Sequence, residues 1–122
     1  MFVRALADGE ATAAQWLARG VSELEVSVPD LVFAEVGNAF AGYVRSGRLS
    51  REGAVRRLEF TVGLPRHVRG VGTIAPAALG VAVSRSLTVY DACYVVLAEA
   101  ENAVLVTADS RLAAAATRAE LI

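Results

Sequence analysis

The fold class is indicated by a short apolar run that polar residues follow at once, Ala103-Val104-Leu105-Val106-Thr107-Ala108-Asp109-Ser110. Four consecutive apolar residues predict a short strand in the interior of a sheet, and Asp109 or Ser110 then begins a helix. Farther upstream, residues 24–28 alternate in the manner of a strand, which stops at Pro29. Because such strands alternate with helices along the chain, we predict an α/β fold in which helices flank a mainly parallel sheet.

Helices are predicted for most of the remaining chain. The apolar spacing and the capping residues indicate helices at residues 10–18, 30–46, 51–62, 76–85 and 88–101, and a last one from residue 109 onward. Ser50 is the expected N-cap of the third helix, and Gly47 and Gly63 follow the ends of the second and third. The spaced valines of residues 67–74 predict a further strand.

Length and composition favour one globular domain over residues 1–122, without a repeat or a linker. The hydrophobic content of 55% excludes an intrinsically disordered chain. No apolar run reaches the roughly 20 residues that span a bilayer, and the first residues lack the basic and apolar regions of a signal peptide. We therefore expect a cytoplasmic protein without a membrane segment, in which the single cysteine, Cys93, is a buried thiol rather than a catalytic one.

The basic residues are concentrated in the middle of the chain. Residues 45–69 contain seven arginines against two glutamates, although the net charge of the whole chain is −1. Arginine contacts phosphate through two parallel hydrogen bonds, so this block, with Arg45, Arg48 and Arg51 at its start, is a candidate nucleic-acid contact. The alternative, which the block taken alone favours, is the solvated face of an amphipathic helix.

Glu35 is the acidic residue that is hardest to explain by its local role. The helix around it is apolar on nearly every side, and of the residues three and four positions away only Asn38 is polar. A buried carboxylate without a partner costs several kcal/mol or becomes protonated, so a bound metal ion is one explanation. A partly exposed glutamate, or one paired with a distant arginine, is the other.

Two aspartates lie at predicted helix starts. Asp91 is three residues after Thr88, which is close to a capping box, and Asp109 can cap the last helix itself. Each also occupies a position, near the end of a strand, where α/β proteins place ligands. For Asp91 taken alone the capping role is the better explanation, and for Asp109 neither role is favoured.

Taken together, the three acids predict a metal site. Mg²⁺ and Mn²⁺ favour carboxylate oxygens and water, and such a site suits phosphodiester hydrolysis because the metal activates a water and stabilises charge on the phosphate. We therefore predict Glu35, Asp91 and Asp109 as catalytic residues and metal ligands. No phosphate-binding loop, Ser-His-Asp set or cysteine–histidine zinc spacing competes with them in the sequence.

The chain resembles the PIN-domain nucleases, in particular the VapC-like toxins of bacterial toxin–antitoxin pairs. The resemblance extends over nearly the whole chain and rests on five motifs in order, Pro29-Asp30-Leu31, Ala34-Glu35-Val36-x-Asn38-Ala39, Gly47-Arg48-Leu49-Ser50, Leu87-x-Val89-Tyr90-Asp91-Ala92-x-Tyr94 and Leu105-Val106-Thr107-Ala108-Asp109-x-Arg111-Leu112. It implies a three-layer PIN-like fold, Mg²⁺-dependent (or Mn²⁺-dependent) endoribonuclease activity on RNA, homodimerisation and neutralisation by a small antitoxin protein.

The resemblance also implies residue roles. Three residues match the family's second, third and fourth acids, and they are Glu35, Asp91 and Asp109. Asn38 and Thr107 match its accessory polar residues. The arginines that would contact RNA or the antitoxin are Arg45, Arg48 and Arg51.

The chain departs from the family at its start. The family opens with an apolar strand that ends in an aspartate, whereas Met1-Phe2-Val3-Arg4-Ala5-Leu6 looks like the stretch that follows that strand. Asp8 falls several residues too late to replace this aspartate. We expect the first, central strand and the first acid to be missing, because either the true start lies upstream of Met1 or the protein is an inactive relative. The second case makes a catalytically inactive PIN-like binding module the alternative function.

Overall fold

The structure is a computed structural model that describes residues 26–122. Along these residues the elements are β1 (Ser27–Pro29), α1 (Leu31–Arg45), α2 (Arg51–Val62), β2 (His67–Arg69), α3 (Val71–Arg85), α4 (Val89–Ala100), β3 (Leu105–Thr107), α5 (Ser110–Ala115) and β4 (Ala119–Leu121). They fall into two compact units, one containing residues 31–67 and the other residues 28–30 and 68–122. The helix predicted at residues 10–18, the first two residues of the strand predicted at 24–28, and the N-terminal departure from the family lie outside the described residues.

The first unit is built on the helix pair α1 and α2. Val32, Val36 and Phe40 recur every fourth residue of α1 and are buried, so a single stripe of this helix carries its packing. Gly37 borders α2, because a Cβ added there would lie 3.3 Å from Leu58 Cδ2. The missing side chain at this position therefore lets the two helices approach closely.

The turn between α1 and α2 is determined by a glycine and a cap. Gly47 has a φ of +81°, a left-handed conformation that glycine adopts without strain. The Gly53 N–H donates to Ser50 Oγ at 3.0 Å, which begins α2. The predicted helices 30–46 and 51–62 and the predicted N-cap Ser50 are confirmed to within one residue.

In the second unit, Asp30 determines where α3 begins, although it lies 41 positions earlier in the chain. Its Oδ1 accepts a hydrogen bond from the Val71 N–H at 3.0 Å, and its own N–H donates to the Arg69 carbonyl at 2.8 Å. α3 therefore starts at Val71, and the start predicted at Pro76 is wrong. The strand predicted at residues 67–74 is correct only as far as Arg69.

Pro76 is tolerated inside α3 because of its position. It lies in the second turn of the helix, where its ring removes one hydrogen bond, the one to the Gly72 carbonyl. Both residues are exposed, so water can bond to this carbonyl. The helix therefore continues through the proline.

α3 packs against α4 within the second unit. Both helices bury small side chains, Ala78 and Ala82 on α3 and Ala92 and Cys93 on α4, and small residues allow a short distance between helix axes. The prediction that Cys93 is a buried thiol is confirmed.

β3 and β4 form a parallel pair in which Leu105 lies opposite Ala119 and Thr107 opposite Leu121. The strand predicted at residues 103–106 starts two residues later, and β4 was not predicted. β1 and β2 form a second two-stranded sheet. The core beside β3 consists of Val95, Ala98, Leu105 and Leu112. A mostly helical chain with parallel strands confirms the α/β fold class.

An ion pair joins α3, α4 and the chain after α5. Arg85 Nη1 donates to Glu99 Oε1 at 2.7 Å and to the Ala115 carbonyl at 3.0 Å, and Nη2 donates to Glu99 Oε2 at 3.3 Å. Thr117 Oγ1 donates to the same carboxylate. The hydrogen bond from Arg85, followed by that from Thr117, holds the pKa of Glu99 below its ordinary value, and the bond to Glu99 raises the pKa of Arg85.

Within residues 26–122, no single helix is long and apolar enough to cross a membrane. Taken together, α3 and α4 have the required length and composition, but they are bent by 108° relative to each other. The bend follows from Ser86, whose left-handed φ of 55° ends α3, and from Thr88, which caps α4.

Replacement of Asp30 tests its role as the cap of α3. We expect Asp30→Ala to lower the free energy of unfolding by about 1 kcal/mol, because the Val71 N–H loses its acceptor. Asp30→Asn keeps an Oδ1 acceptor and should be nearly as stable as the parent chain. Urea denaturation followed by circular dichroism measures both variants, and equal stability of Asp30→Ala and the parent would contradict this role.

The Glu99 carboxylate should make stability depend on pH. Because its pKa in the folded chain is below the ordinary value of 4.5, its contribution is complete above pH 4.5 and is lost as the pH falls through the folded pKa. Glu99→Gln should lose roughly 0.5–1 kcal/mol at neutral pH, as for a solvated ion pair, and its stability should fall less than the parent's in acid.

The matched control is Glu59→Gln, which removes an exposed carboxylate from α2. It should be as stable as the parent chain at neutral pH. The measurement is the melting temperature across the acid range, and a Glu99→Gln curve parallel to that of the parent would rule out the proposed contribution.

Candidate functional site

Glu35 lies on α1, and its side chain is exposed. Of the two explanations that the sequence left open, an exposed glutamate is the one that the structure supports. The reason is the helical period, because the buried positions Val32, Val36 and Phe40 lie four residues apart and Glu35 is outside their stripe. An exposed carboxylate does not need a metal ion to offset a cost of burial.

Glu35 begins a row of exposed residues on one side of α1. Asn38, Gly42 and Arg45 follow at intervals of three and four residues and are also exposed, and residues at this spacing share a helix face. We call these four residues the polar face of α1. The predicted accessory residue Asn38 is therefore placed beside Glu35.

Asp91 lies in the first turn of α4. Its N–H donates to Thr88 Oγ1 at 3.1 Å, so Thr88 is the N-cap, as predicted. The Asp91 carboxylate is half-buried and accepts no hydrogen bond from residues 26–122. Its oxygens are therefore available to a ligand.

Asp109 is the N-cap of α5, which is one of the two roles that the sequence left open, and the cap uses only one of its carboxylate oxygens. Its Oδ1 accepts hydrogen bonds from the N–H groups of Arg111 at 2.9 Å and Leu112 at 3.2 Å. The predicted accessory residue Thr107 is buried, and its Oγ1 accepts the Asp109 N–H at 3.0 Å. Thr107 therefore positions Asp109, and none of the hydrogen bonds within residues 26–122 uses its Oδ2, which could bind a cation.

The predicted acids lie in both units, Glu35 in the first and Asp91 and Asp109 in the second. Carboxylate, amide and hydroxyl oxygens are the donors that Mg²⁺ and Mn²⁺ prefer, so the donor set fits such a cation. Over the described range, however, no group of three or more His, Cys, Asp or Glu side chains could hold a metal ion. The assignment of the three acids as ligands of one cation stays a prediction.

The three predicted contact arginines lie at the turn between α1 and α2, and their side chains are exposed. Arg45 ends α1 and Arg51 begins α2. Between them, Arg48 Cζ lies 5.2 Å from the centre of the Tyr43 ring, which is a cation–π contact. We call Arg45, Arg48 and Arg51 the arginine turn.

Sequence reasoning missed the roles of Asp30 and Tyr43. From the sequence, Asp30 was expected to lie at the start of α1. In the structure its carboxylate also caps α3. The available signal was Gly70, which precedes α3 and has no side chain with which to cap it. Tyr43 contacts Arg48 because the chain reverses direction at Gly47. No local sequence pattern predicts such a contact.

Comparisons with known proteins agree with this fold. A model of the PIN domain family matches residues 1–118. The crystal structure of PAE2754 from Pyrobaculum aerophilum superposes with a TM-score of 0.76 at 31% sequence identity, over 97% of this chain and 85% of that chain. Among curated proteins, none matches significantly. Since the family model spans nearly the whole length, the chain belongs to the PIN domain family.

Proposed function

We propose that the chain is a Mg²⁺-dependent endoribonuclease of the VapC-like toxin type that hydrolyses RNA phosphodiester bonds and is neutralised by a cognate antitoxin. The observation that carries the proposal is membership of the PIN domain family over residues 1–118. PIN domains are generally nucleases and typically use divalent metals. RNA as the substrate and the toxin role go beyond the family and rest on the motifs around Glu35, Asp91 and Asp109.

The geometry of the aspartates supports the proposal. The cap leaves Oδ2 of Asp109 available, and the Asp91 carboxylate accepts no hydrogen bond from the described residues. Because Thr88 and Thr107 hold the backbones at both positions, the carboxylates need little reorganisation on binding a ligand. When bound to these oxygens, Mg²⁺ or Mn²⁺ would supply an activated water and offset charge on the phosphate.

We extend the proposal to partners and location. A toxin of this type is expected in the cytoplasm as a homodimer that a small antitoxin inhibits. Leu79 and Val83 support a protein contact, because they share one face of α3 and are 57% and 77% exposed.

A binding module without catalysis is the second candidate. It is favoured by one observation, the lack of a three-residue acidic group that could hold a metal within residues 26–122. Such a module would bind RNA or a protein partner but would not cut RNA.

Asp109→Asn separates catalysis from folding. The Asn Oδ1 still accepts the cap hydrogen bonds, so we expect the stability of the parent chain, whereas loss of the charge should lower RNA cleavage in Mg²⁺ about 100-fold or more. Asp109→Ala should lose both cleavage and about 1 kcal/mol of stability. Cleavage of a structured RNA, resolved on a gel, and thermal unfolding measure the two effects.

Asp91→Asn should behave like Asp109→Asn, and Glu59→Gln is the control for loss of an exposed carboxylate elsewhere. Full cleavage by either aspartate variant would reject the catalytic assignment. No cleavage by the parent chain, with intact RNA binding, would favour the binding module.

A further inference from the structure

We propose that a pocket at the C-terminal end of α4 binds a monocarboxylate with a short apolar stem, and that Arg118 holds the carboxylate. The pocket has a volume of about 250 Å³. Its lining comes from the end of α4, from the turn that follows and from the segment between α5 and β4, all within one compact unit. The inference does not rest on the proposed nuclease function.

This pocket is separate from the predicted acids of its unit. Asp91 lies in the first turn of α4, whereas Glu99, which lines the pocket, lies in the last turn. Eight residues of helix, or about 12 Å, separate the two positions. Asp91 and Asp109 do not line the pocket, so a ligand bound there differs from an RNA phosphate held at the candidate catalytic acids.

The inner surface of the pocket is apolar. Ala98 and Ala116 pack with the buried side chain of Val95, and the exposed Ala103 completes this part of the lining. Because the three alanine side chains are single methyl groups, they leave a space that longer side chains would fill. An apolar group placed in this space would remove both surfaces from water, which favours binding.

Arg118 supplies the positive charge. Its Nη1 donates to the Asn102 carbonyl at 3.1 Å and to Asn102 Oδ1 at 3.0 Å, so neutral acceptors orient the guanidinium group. Within residues 26–122, Arg118 forms no ion pair, and its Nε and Nη2 donate to no residue. These two nitrogens can therefore donate two parallel hydrogen bonds to one carboxylate.

Hydrogen bonds hold the lining in place. The Ala103 N–H donates to the Ala98 carbonyl at 2.8 Å, and the Leu105 N–H donates to the Arg118 carbonyl at 3.0 Å. Thr117 Oγ1 donates to the carboxylate of Glu99. Since both edges of the pocket are bonded to α4 or β3, a ligand would bind with little ordering of the chain, which limits the entropic cost.

Charge and size select the ligand. Glu99 is paired with Arg85, so Arg118 leaves the lining with one uncompensated positive charge, which a monoanion complements. The volume corresponds to roughly eight water molecules, and a ligand with a similar number of non-hydrogen atoms fits. Inorganic phosphate would leave the apolar surface uncovered. A free acid such as 4-methylpentanoate has the required charge and size, and the C-terminal leucine of a peptide presents a similar group.

The test follows the alanine methyl signals of the whole chain by NMR during titration with 4-methylpentanoate. We expect a dissociation constant of about 1 mM and no shift at the exposed Ala34 of α1. Shifts are expected at the pocket alanines, which are Ala98, Ala103 and Ala116. 4-Methylpentanamide lacks the charge and acetate lacks the stem, so each should bind about tenfold more weakly or worse.

A second titration distinguishes the two sources of the carboxylate. A peptide that ends in leucine is compared with the same peptide carrying a C-terminal amide. Tighter binding of the peptide acid than of 4-methylpentanoate identifies a chain terminus as the ligand, and the reverse order identifies a free acid.

Two pairs of variants test the charge and the apolar surface. Arg118→Gln should weaken binding of the acid about tenfold or more, whereas Arg111→Gln removes an exposed arginine of α5 outside the lining and should bind like the parent. Ala103→Leu fills the pocket and should weaken binding to a similar extent. Ala100→Leu makes the same change at an exposed position outside the lining and should have no effect.

The inference is overturned if the pocket alanines do not shift, if the amide binds the parent as tightly as the acid, or if Arg118→Gln or Ala103→Leu binds like the parent. Circular dichroism identifies a variant that has unfolded, and the comparison of acid with amide on the parent chain then decides. Because the titrations contain neither metal nor RNA, their failure leaves the proposed nuclease untouched, and absence of RNA cleavage leaves the pocket untouched.

Discussion

The N–H groups at the start of a helix lack partners within the helix, and in the described part of this chain side-chain oxygens supply acceptors at four helices. Ser50, Asp30, Thr88 and Asp109 bond to N–H groups of α2, α3, α4 and α5 respectively. Short helices have little stability of their own, so their ends depend on such bonds. A cap that fixes the first residue of a helix also fixes which later residues face the core. The positions of Asp91 and Asp109, at the starts of α4 and α5, therefore follow from these bonds.

Two of the caps also hold the backbone of candidate catalytic acids in place. Thr88 bonds to the Asp91 N–H, and no residue of the described range 26–122 donates to the Asp91 carboxylate. Asp109 uses Oδ1 for the cap, which does not involve Oδ2. From the sequence, capping and metal binding were competing explanations of these aspartates. The structure makes them compatible, because a carboxylate has two oxygens and a cap can use a neighbouring threonine. A backbone held in this way presents its carboxylate with little loss of entropy on binding.

Features with local signals could be predicted from the sequence, and features that depend on distant contacts could not. Ser50 and Thr88 each bond to an N–H group three residues later, so their role as N-caps could be predicted from the local sequence. The start of α3 was missed because its cap, Asp30, comes from 41 positions away. β4 was missed because its exposed residues show no alternation and its pairing with β3 is a tertiary contact. For the candidate site, the residues could be proposed from their motifs. The exposure of Glu35 could not be predicted, because it depends on which face of α1 is buried in the core.

That exposure changes the physical reason for expecting a cation near Glu35. An exposed carboxylate is stable without a metal, so no cost of burial has to be offset by a bound cation. The polar face of α1 supplies a different reason, because Glu35 stands at one end of a row that has Arg45 at the other. An RNA phosphate that approached Glu35 would meet a carboxylate of the same charge, and two unit charges 4 Å apart repel by about 1 kcal/mol in water and more where water is excluded. A divalent cation between them turns this repulsion into two attractions, so the proposed RNA substrate and the proposed metal dependence support each other.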